Sequence, residues 1–313
     1  MELNPHGTKD TSDKLPDDNP SYQSDIEETE LYDGTLNPIP QSTKKGLSLA
    51  ELGDPNQIQI TIQDKKNPIV VLFGPPQCGK TMTLVRLSRY LKQIGYKIVP
   101  IRSFRPAADD HYTSICENFD NDVNSRQAAE STKNISFLLI KIMDNAGRTI
   151  CQILEAPGEY YYNPEDPTAG FPSYVNVIIS SSNRKIWCYM VEPDWKDQRH
   201  RDGYVDKIRL LKRNMRPSDK AVFIFNKIDK TNLIIDSGRI NEKEARKEVK
   251  DLYPGIFEPF RSKGVFGSSD NFKFIPFQTG FYSKNPHGGL FFDPGDDIYP
   301  QKLWNVIHKL VRG

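Results

Sequence analysis

Gly74-Pro75-Pro76-Gln77-Cys78-Gly79-Lys80-Thr81 decides how the rest of the 313-residue chain is read. It fits the pattern G-x-x-x-x-G-K-[ST], and its flanks are those that give the pattern physical meaning. The preceding run Ile69-Val70-Val71-Leu72-Phe73 suits a strand buried on both faces. The following Leu84, Leu87, Leu91 and Ile94 fall on one face of a helix, with Gly95 as its stop. Strand, glycine-bounded loop and helix in that order aim backbone N–H groups and the positive end of a helix dipole at one spot, a site for phosphate. Lys80 then reaches the terminal phosphates, and the Thr81 hydroxyl holds Mg2+. The blander alternative, a chance glycine turn, does not account for both flanks.

Outward from this loop the chain alternates strand and helix patterns. Gln57 to Gln63 alternates apolar and polar residues, which predicts a half-exposed strand. Tyr96 to Ile101 reads as a further strand, placed at an edge by Pro100. Residues 102–134 are polar and irregular, longer than an ordinary connection, and are expected to be functional or mobile. Ser136–Met143 and Thr149–Leu154 flank Asp144-Asn145-Ala146-Gly147-Arg148 as a hairpin. A short helix over 174–181, a buried strand over 186–191, a basic helix around Val205, Ile208 and Leu211, and a buried strand over 221–225 follow. Asn241 with Glu244 resembles a capping box opening a charged helix. A last strand over 272–277 and a helix carrying Leu303, Trp304, Ile307 and Leu310 close the chain. This order implies an α/β fold with a mainly parallel sheet covered on both faces and one antiparallel hairpin strand. Right-handed crossovers gather the ligand loops at the carboxyl ends of the strands.

Directly after the 221–225 strand stands Asn226-Lys227-Ile228-Asp229. A carboxylate there can accept from both the ring N–H and the exocyclic amine of guanine, a donor pair that adenine lacks. Selection by pairing of this kind can reach ~10⁴. Lys227 is expected along the base or ribose. Alone the tetrapeptide is an ordinary strand-ending turn; after a buried strand and downstream of a phosphate loop it is specific.

GPPQCGKT and NKID, in this strand order, resemble the Ras-like P-loop GTPases of the translation-factor-related class over roughly residues 67–313. Within that class the likeness is to bacterial double-GTPase-type proteins linked to conflict systems. The resemblance implies a three-layer P-loop NTPase fold, GTP or GDP and Mg2+ as ligands, and a protein effector or regulator as partner. It implies that Gly74, Gln77, Cys78, Gly79, Lys80, Thr81 and Met82 contact the phosphates, with Lys80 catalytic. The family's third motif, D-x-x-G, is here Glu155-Ala156-Pro157-Gly158. Glu155 then takes the aspartate's place near Mg2+, Gly158 senses the γ-phosphate, and Glu159 stands where a residue orients the attacking water. A carboxylate beside phosphate repels unless compensated, which sets Glu159 apart from the family pattern. Thr132 is the implied switch-loop metal ligand, with Thr113 as its rival. Gln278-Thr279-Gly280 holds the fifth-motif place without its usual residues, so Thr279 carries only a backbone role toward guanine. Pro75 and Pro76 lack N–H groups, and Pro76 crowds the approach of a partner's arginine finger.

The remaining sequence limits the reading. Residues 1–33 carry ten acids and two bases, net −8, which leaves +9 for the rest of a chain of net +1. Acids are interleaved with those bases, so a solvated surface is expected and nucleic acid is not. Residues 1–45 are too polar to bury much surface and read as a disordered acidic tail; residues 46–66 read as a linker with an extra strand, and 67–313 as the GTPase domain. Met1-Glu2-Leu3-Asn4-Pro5 lacks the basic-then-apolar pattern expected of a signal peptide, no apolar run approaches the ~18 residues of a membrane span, and Cys78, Cys116, Cys151 and Cys188 are scattered. A cytoplasmic protein with free thiols and no zinc is expected. His200-Arg201-Asp202 matches a kinase triplet but lacks the later asparagine, and reads as a solvated loop. Tyr160-Tyr161-Tyr162 reads as a contact surface or as packing under a loop, and Asp293-Pro294-Gly295-Asp296-Asp297 as a turn. The expected function is a Mg2+-dependent GTP-hydrolysing switch whose residues 102–135 and 155–172 order around the γ-phosphate. The alternatives are a scaffold that holds GTP without hydrolysis and an ATPase in which NKID is accidental.

Overall fold

The computed structural model describes residues 47–124, 137–162, 166, 168–195, 197–236, 239–264, 267–284 and 290–313. The expected acidic tail and Thr132 lie outside them, as does the side chain of Glu159. A seven-stranded sheet organises the rest: β1 (Ile69–Phe73), β2 (Lys97–Pro100), β3 (Leu138–Met143), β4 (Thr149–Glu155), β5 (Lys185–Val191), β6 (Lys220–Phe225) and β7 (Phe272–Pro276). Their spatial order is β7-β6-β5-β1-β4-β3-β2. β3 pairs antiparallel with both β4 and β2, and the other pairings within this sheet are parallel, so one strand alone runs against it. Pro100 lies on the edge strand β2, where a missing N–H is tolerated.

Every residue of β1 and β5 is buried, which requires cover on both faces. The helices α1 (Lys80–Gln93), α2 (Asp110–Asn124), α3 (Ser173–Ser180), α4 (Gln198–Asn214), α5 (Glu242–Leu252) and α6 (Ile298–Arg312) supply it, in a three-layer α/β arrangement. α1 begins after Gly79 and ends before Gly95, both at positive φ. α4 buries Val205, Ile208 and Leu211, and Asn241 caps α5 by accepting from the Glu244 N–H (3.2 Å). Arg86 of α1 is buried and pairs with Asp297 at 2.8 Å, fixing the turn before α6. Among the described residues no helix is long and apolar enough to cross a membrane.

Three expectations need correcting. Residues 58–67 form no strand; the alternation buries Ile58 and Ile62, but the segment is held by side chains and by the Thr61 N–H to Phe104 C=O bond (2.8 Å). Arg105 is the chief clamp, pairing with Glu51 at 2.6 Å and Asp109 at 2.8 Å while donating to the Gln59 carbonyl. Second, the polar stretch 102–134 contains α2, whose Tyr112, Ile115, Cys116, Phe119 and Val123 form a buried stripe. Third, His200-Arg201-Asp202 opens α4 rather than a loop. Asp197 caps that helix, and the buried Arg201 guanidinium lies 5.7 Å from the Tyr253 ring centroid.

If α2 is an integral wall of the core, Phe119→Ala should cost about 3–5 kcal/mol in urea unfolding. Glu117→Ala, on the exposed side of the same helix, should stay within about 0.5 kcal/mol. Equal effects would remove α2 from the core.

Candidate functional site

Strand register gathers the site on one rim. Leu72 is level with Glu155, Val191 with Phe225, and Phe225 with Pro276. The segments that follow β1, β4, β5, β6 and β7 therefore leave the sheet side by side.

The loop after β1 curls around its own cysteine. Cys78 is fully buried, and a Cβ on Gly74 would come within 2.6 Å of the Cys78 Sγ and 2.8 Å of the Met190 Cβ. Burial pushes the Cys78 thiol above its ordinary pKa, so it acts as packing rather than as a nucleophile. Gln77 adopts φ 62° and Gly79 φ 90°. No side chain caps the first turn of α1, which contains Lys80, Thr81 and the half-buried Met82. The Lys80 ammonium donates to the carbonyls of Gly74 (3.1 Å) and Pro75 (2.9 Å), inside the curve of the loop.

Opposite the loop, the Thr81 hydroxyl donates to the Glu155 carboxylate. Glu155 is 2% exposed, and its Oε2 is buried without a protein partner. Desolvation raises its carboxyl to about 7, against the pull of the Thr81 bond and the Lys80 charge. A hydroxyl and a carboxylate with an unused oxygen are hard oxygen donors that suit Mg2+. Among the described residues there is no cluster of three or more His, Cys, Asp or Glu side chains that could hold a metal. An ion here would rely on Thr81, Glu155 and oxygens brought by its ligand. Gly158 packs against the loop: a Cβ there would overlap the Pro75–Pro76 peptide and approach the Lys80 Nζ to 2.6 Å. Tyr161 and Tyr162 just beyond it are buried, the first with its ring 4.8 Å from that of Phe73, which settles these two as packing. Thr113 is built into α2, its N–H on the Asp109 carbonyl (3.2 Å).

The second motif meets the first directly. Asn226, 1% exposed, donates from its amide nitrogen to the Cys78 carbonyl at 2.9 Å. A methyl group on Gly79 would overlap that amide. The Asn226 N–H donates to the Val191 carbonyl at 2.8 Å, and the Ile228 N–H to the Phe277 carbonyl at 3.2 Å. The latter bond ties the fifth-motif segment, with buried Gln278 and Thr279, to the same place. Asp229 is an exposed residue whose carboxyl is covered on one side, and this partial desolvation raises it above the ordinary value. Lys227 sits at φ 56°. Sequence reasoning passed over its partners Glu192 and Asp194 in the segment after β5. Their signal was slight: acids directly behind a fully buried strand.

No protein-family model matches the chain. Signal recognition particle 54 kDa proteins of Pyrobaculum arsenaticum and Pyrobaculum islandicum are 35% and 34% identical to it over 94 residues. The match covers 27% of this chain and 22% of each relative, so the chain spans under a quarter of these curated proteins. Among solved structures, one described as a nucleolar GTP-binding protein 1 of Plasmodium falciparum is 13% identical, with TM-score 0.39 over 81% of this chain and 90% of that one. Roco2 RocCORdC of Methanosarcina barkeri bound to GDP is 13% identical, with TM-score 0.33 over 81% and 51%. Elongation factor SelB of Methanococcus maripaludis with a GTP analogue is 11% identical, with TM-score 0.33 over 80% and 35%. At such scores the site rests on its own geometry.

In metal-free buffer the neutral form of Glu155 is the one the fold favours. Its stabilising contribution is full below the unfolded value near 4.5 and is lost as pH rises through about 7. Glu155→Gln is neutral throughout, so it should gain up to about 3 kcal/mol on wild type between about pH 5 and about pH 8 in urea titrations. A pH-independent difference would contradict the burial of a titrating carboxyl.

Proposed function

We propose that this chain is a guanine-nucleotide-binding switch protein that hydrolyses GTP to GDP and phosphate with Mg2+. The observation that carries the reading is the buried bond from the Asn226 amide to the Cys78 carbonyl, between residues 148 apart in sequence. It supports placing a phosphate-gripping loop and a base-selecting loop at one rim, as a single nucleotide requires.

In this reading the first turn of α1 and Lys80 receive the β- and γ-phosphates, and Asp229 accepts from the two guanine donors. Thr81 and Glu155 would hold Mg2+, which supplies charge neutralisation to the phosphates when bound. Gly158, already against the loop backbone, is placed to register whether a γ-phosphate is present. Movement of the segment after it would then change what a protein effector can bind. Residues 67–313 form the GTPase domain of this proposal, with 46–66, expected as a linker but clamped to it through Glu51 and Arg105, ahead of it, 1–45 as acidic tail and the cytoplasm as location. Kinship with bacterial double-GTPase-type proteins rests on motif likeness alone. The roles of Glu159 in orienting water and of Thr132 at the metal belong to the proposal as well.

One observation favours a second reading, a scaffold that holds GTP without turnover. The aspartate of the family motif is replaced by a Glu155 whose carboxyl is sealed in and raised to about 7 by desolvation. Single-turnover assays separate the two: the switch releases phosphate and Lys80→Ala does not, whereas the scaffold binds GTP and releases none.

Asp229→Asn should weaken GDP binding on the order of 10²-fold and turn preference toward xanthine nucleotides, measured by competition against labelled GDP. Unchanged base selectivity, or displacement of labelled GTP by ATP at equal concentration, would overturn the guanine reading.

A further inference from the structure

Two acids leaving β5 face two bases leaving β6. Val191 and Phe225 are the last paired residues of those strands, so Glu192-Pro193-Asp194 runs beside Asn226-Lys227-Ile228-Asp229-Lys230. The Lys227 ammonium pairs with the Glu192 carboxylate and lies 3.8 Å from that of Asp194, which in turn takes Lys230. The side chains of Lys227 and Glu192 are 24% and 8% exposed. Water screens such a pair much less than an open surface pair.

Neither end of the pair is loose. The Glu192 N–H donates to the Tyr253 hydroxyl (3.3 Å), and that hydroxyl donates to the Glu192 carbonyl (2.8 Å). Lys227 has a left-handed backbone, which a lysine adopts only when its surroundings impose it. The bonds from the Asn226 N–H to Val191 and from the Ile228 N–H to Phe277 impose it from both sides. The flexible lysine stem is thus stretched between a constrained Cα and the carboxylate of a residue whose backbone Tyr253 holds in place. A free lysine would spread over many rotamers and lose them on contact with ligand.

We propose that Glu192 is a positioning residue of the nucleotide site: it neutralises and holds Lys227 in one conformation before the ligand arrives, so that this lysine presents a preset stem. The inference rests on the guanine-nucleotide reading and adds a residue that the N-K-x-D motif does not contain. Asp194 is the lesser partner, since it is shared with the exposed Lys230.

The test is calorimetric titration of the full chain with GDP in four proteins: wild type, Glu192→Gln, Lys227→Met and the double variant. Glu192→Gln should weaken GDP roughly ten-fold in the wild-type background. It should add less than about two-fold in the Lys227→Met background, because it then has no ammonium to act through. Glu192→Asp, which keeps the charge on a shorter arm, should recover part of the loss. The guanine-over-xanthine preference should be unchanged in all of them. Wild-type affinity in Glu192→Gln, or the same loss in both backgrounds, would overturn the proposal by leaving Glu192 inert or merely structural. If Glu192→Gln does not fold, Glu192→Asp carries the same comparison across the two Lys227 backgrounds. A wild-type chain that binds no GDP would instead remove the nucleotide reading, and this inference with it.

Discussion

One buried hydrogen bond, from the Asn226 amide to the Cys78 carbonyl, holds two distant parts of the chain to each other. Breaking it would leave a donor and an acceptor without partners in a dry place, at about 1–3 kcal/mol. Much of the rim geometry answers to this contact. Residue 79 has to be glycine, because a side chain would occupy the position of the amide. Cys78 has to be small and apolar to fold under Gly74. The Asn226 backbone is in turn tied to Val191, so a displacement of the loop after β6 would be felt at β5 and at the loop after β1 together.

Backbone constraint is concentrated at the same rim. Among the described residues, the non-glycine residues with positive φ are Gln77 and Lys227, one in each of the two facing loops. Such conformations persist where neighbouring structure over-determines them, and here that structure is the parallel sheet. Tyr204 adds to the restraint from α4: its hydroxyl lies 3.2 Å from the Phe73 carbonyl and 3.0 Å from the Met190 carbonyl, bridging the ends of β1 and β5. The aromatic layer of Phe73, Tyr161, Tyr189 and Tyr204 fills the space beneath.

Legibility followed the range of the interaction. Buried parallel strands such as Ile69–Phe73 and Lys220–Phe225 announce themselves as apolar runs, and the loops behind them carry short motifs, so the sheet and both loops were readable. Gln57 to Gln63 misled because alternation reports which side chains are buried and not whether a neighbouring strand exists to pair with. α2 was hidden by its many polar residues, although Tyr112, Ile115, Cys116, Phe119 and Val123 recur at helical spacing. Arg201 looked solvated because the ring above it, Tyr253, lies far along the chain. Glu192 was beyond reach for the same reason: parallel register, not local pattern, sets it beside Lys227.

Pro75 and Pro76 have a thermodynamic meaning apart from the hydrogen bonds they lack. Two pyrrolidine rings fix successive φ angles near −65°, and the turn they begin is closed by Lys80 on the carbonyls of Gly74 and Pro75. The loop's disorder is therefore given up during folding, not on ligation. An anion bound as proposed would meet a mould that is already cast, and little of its binding free energy would be offset by stiffening the protein.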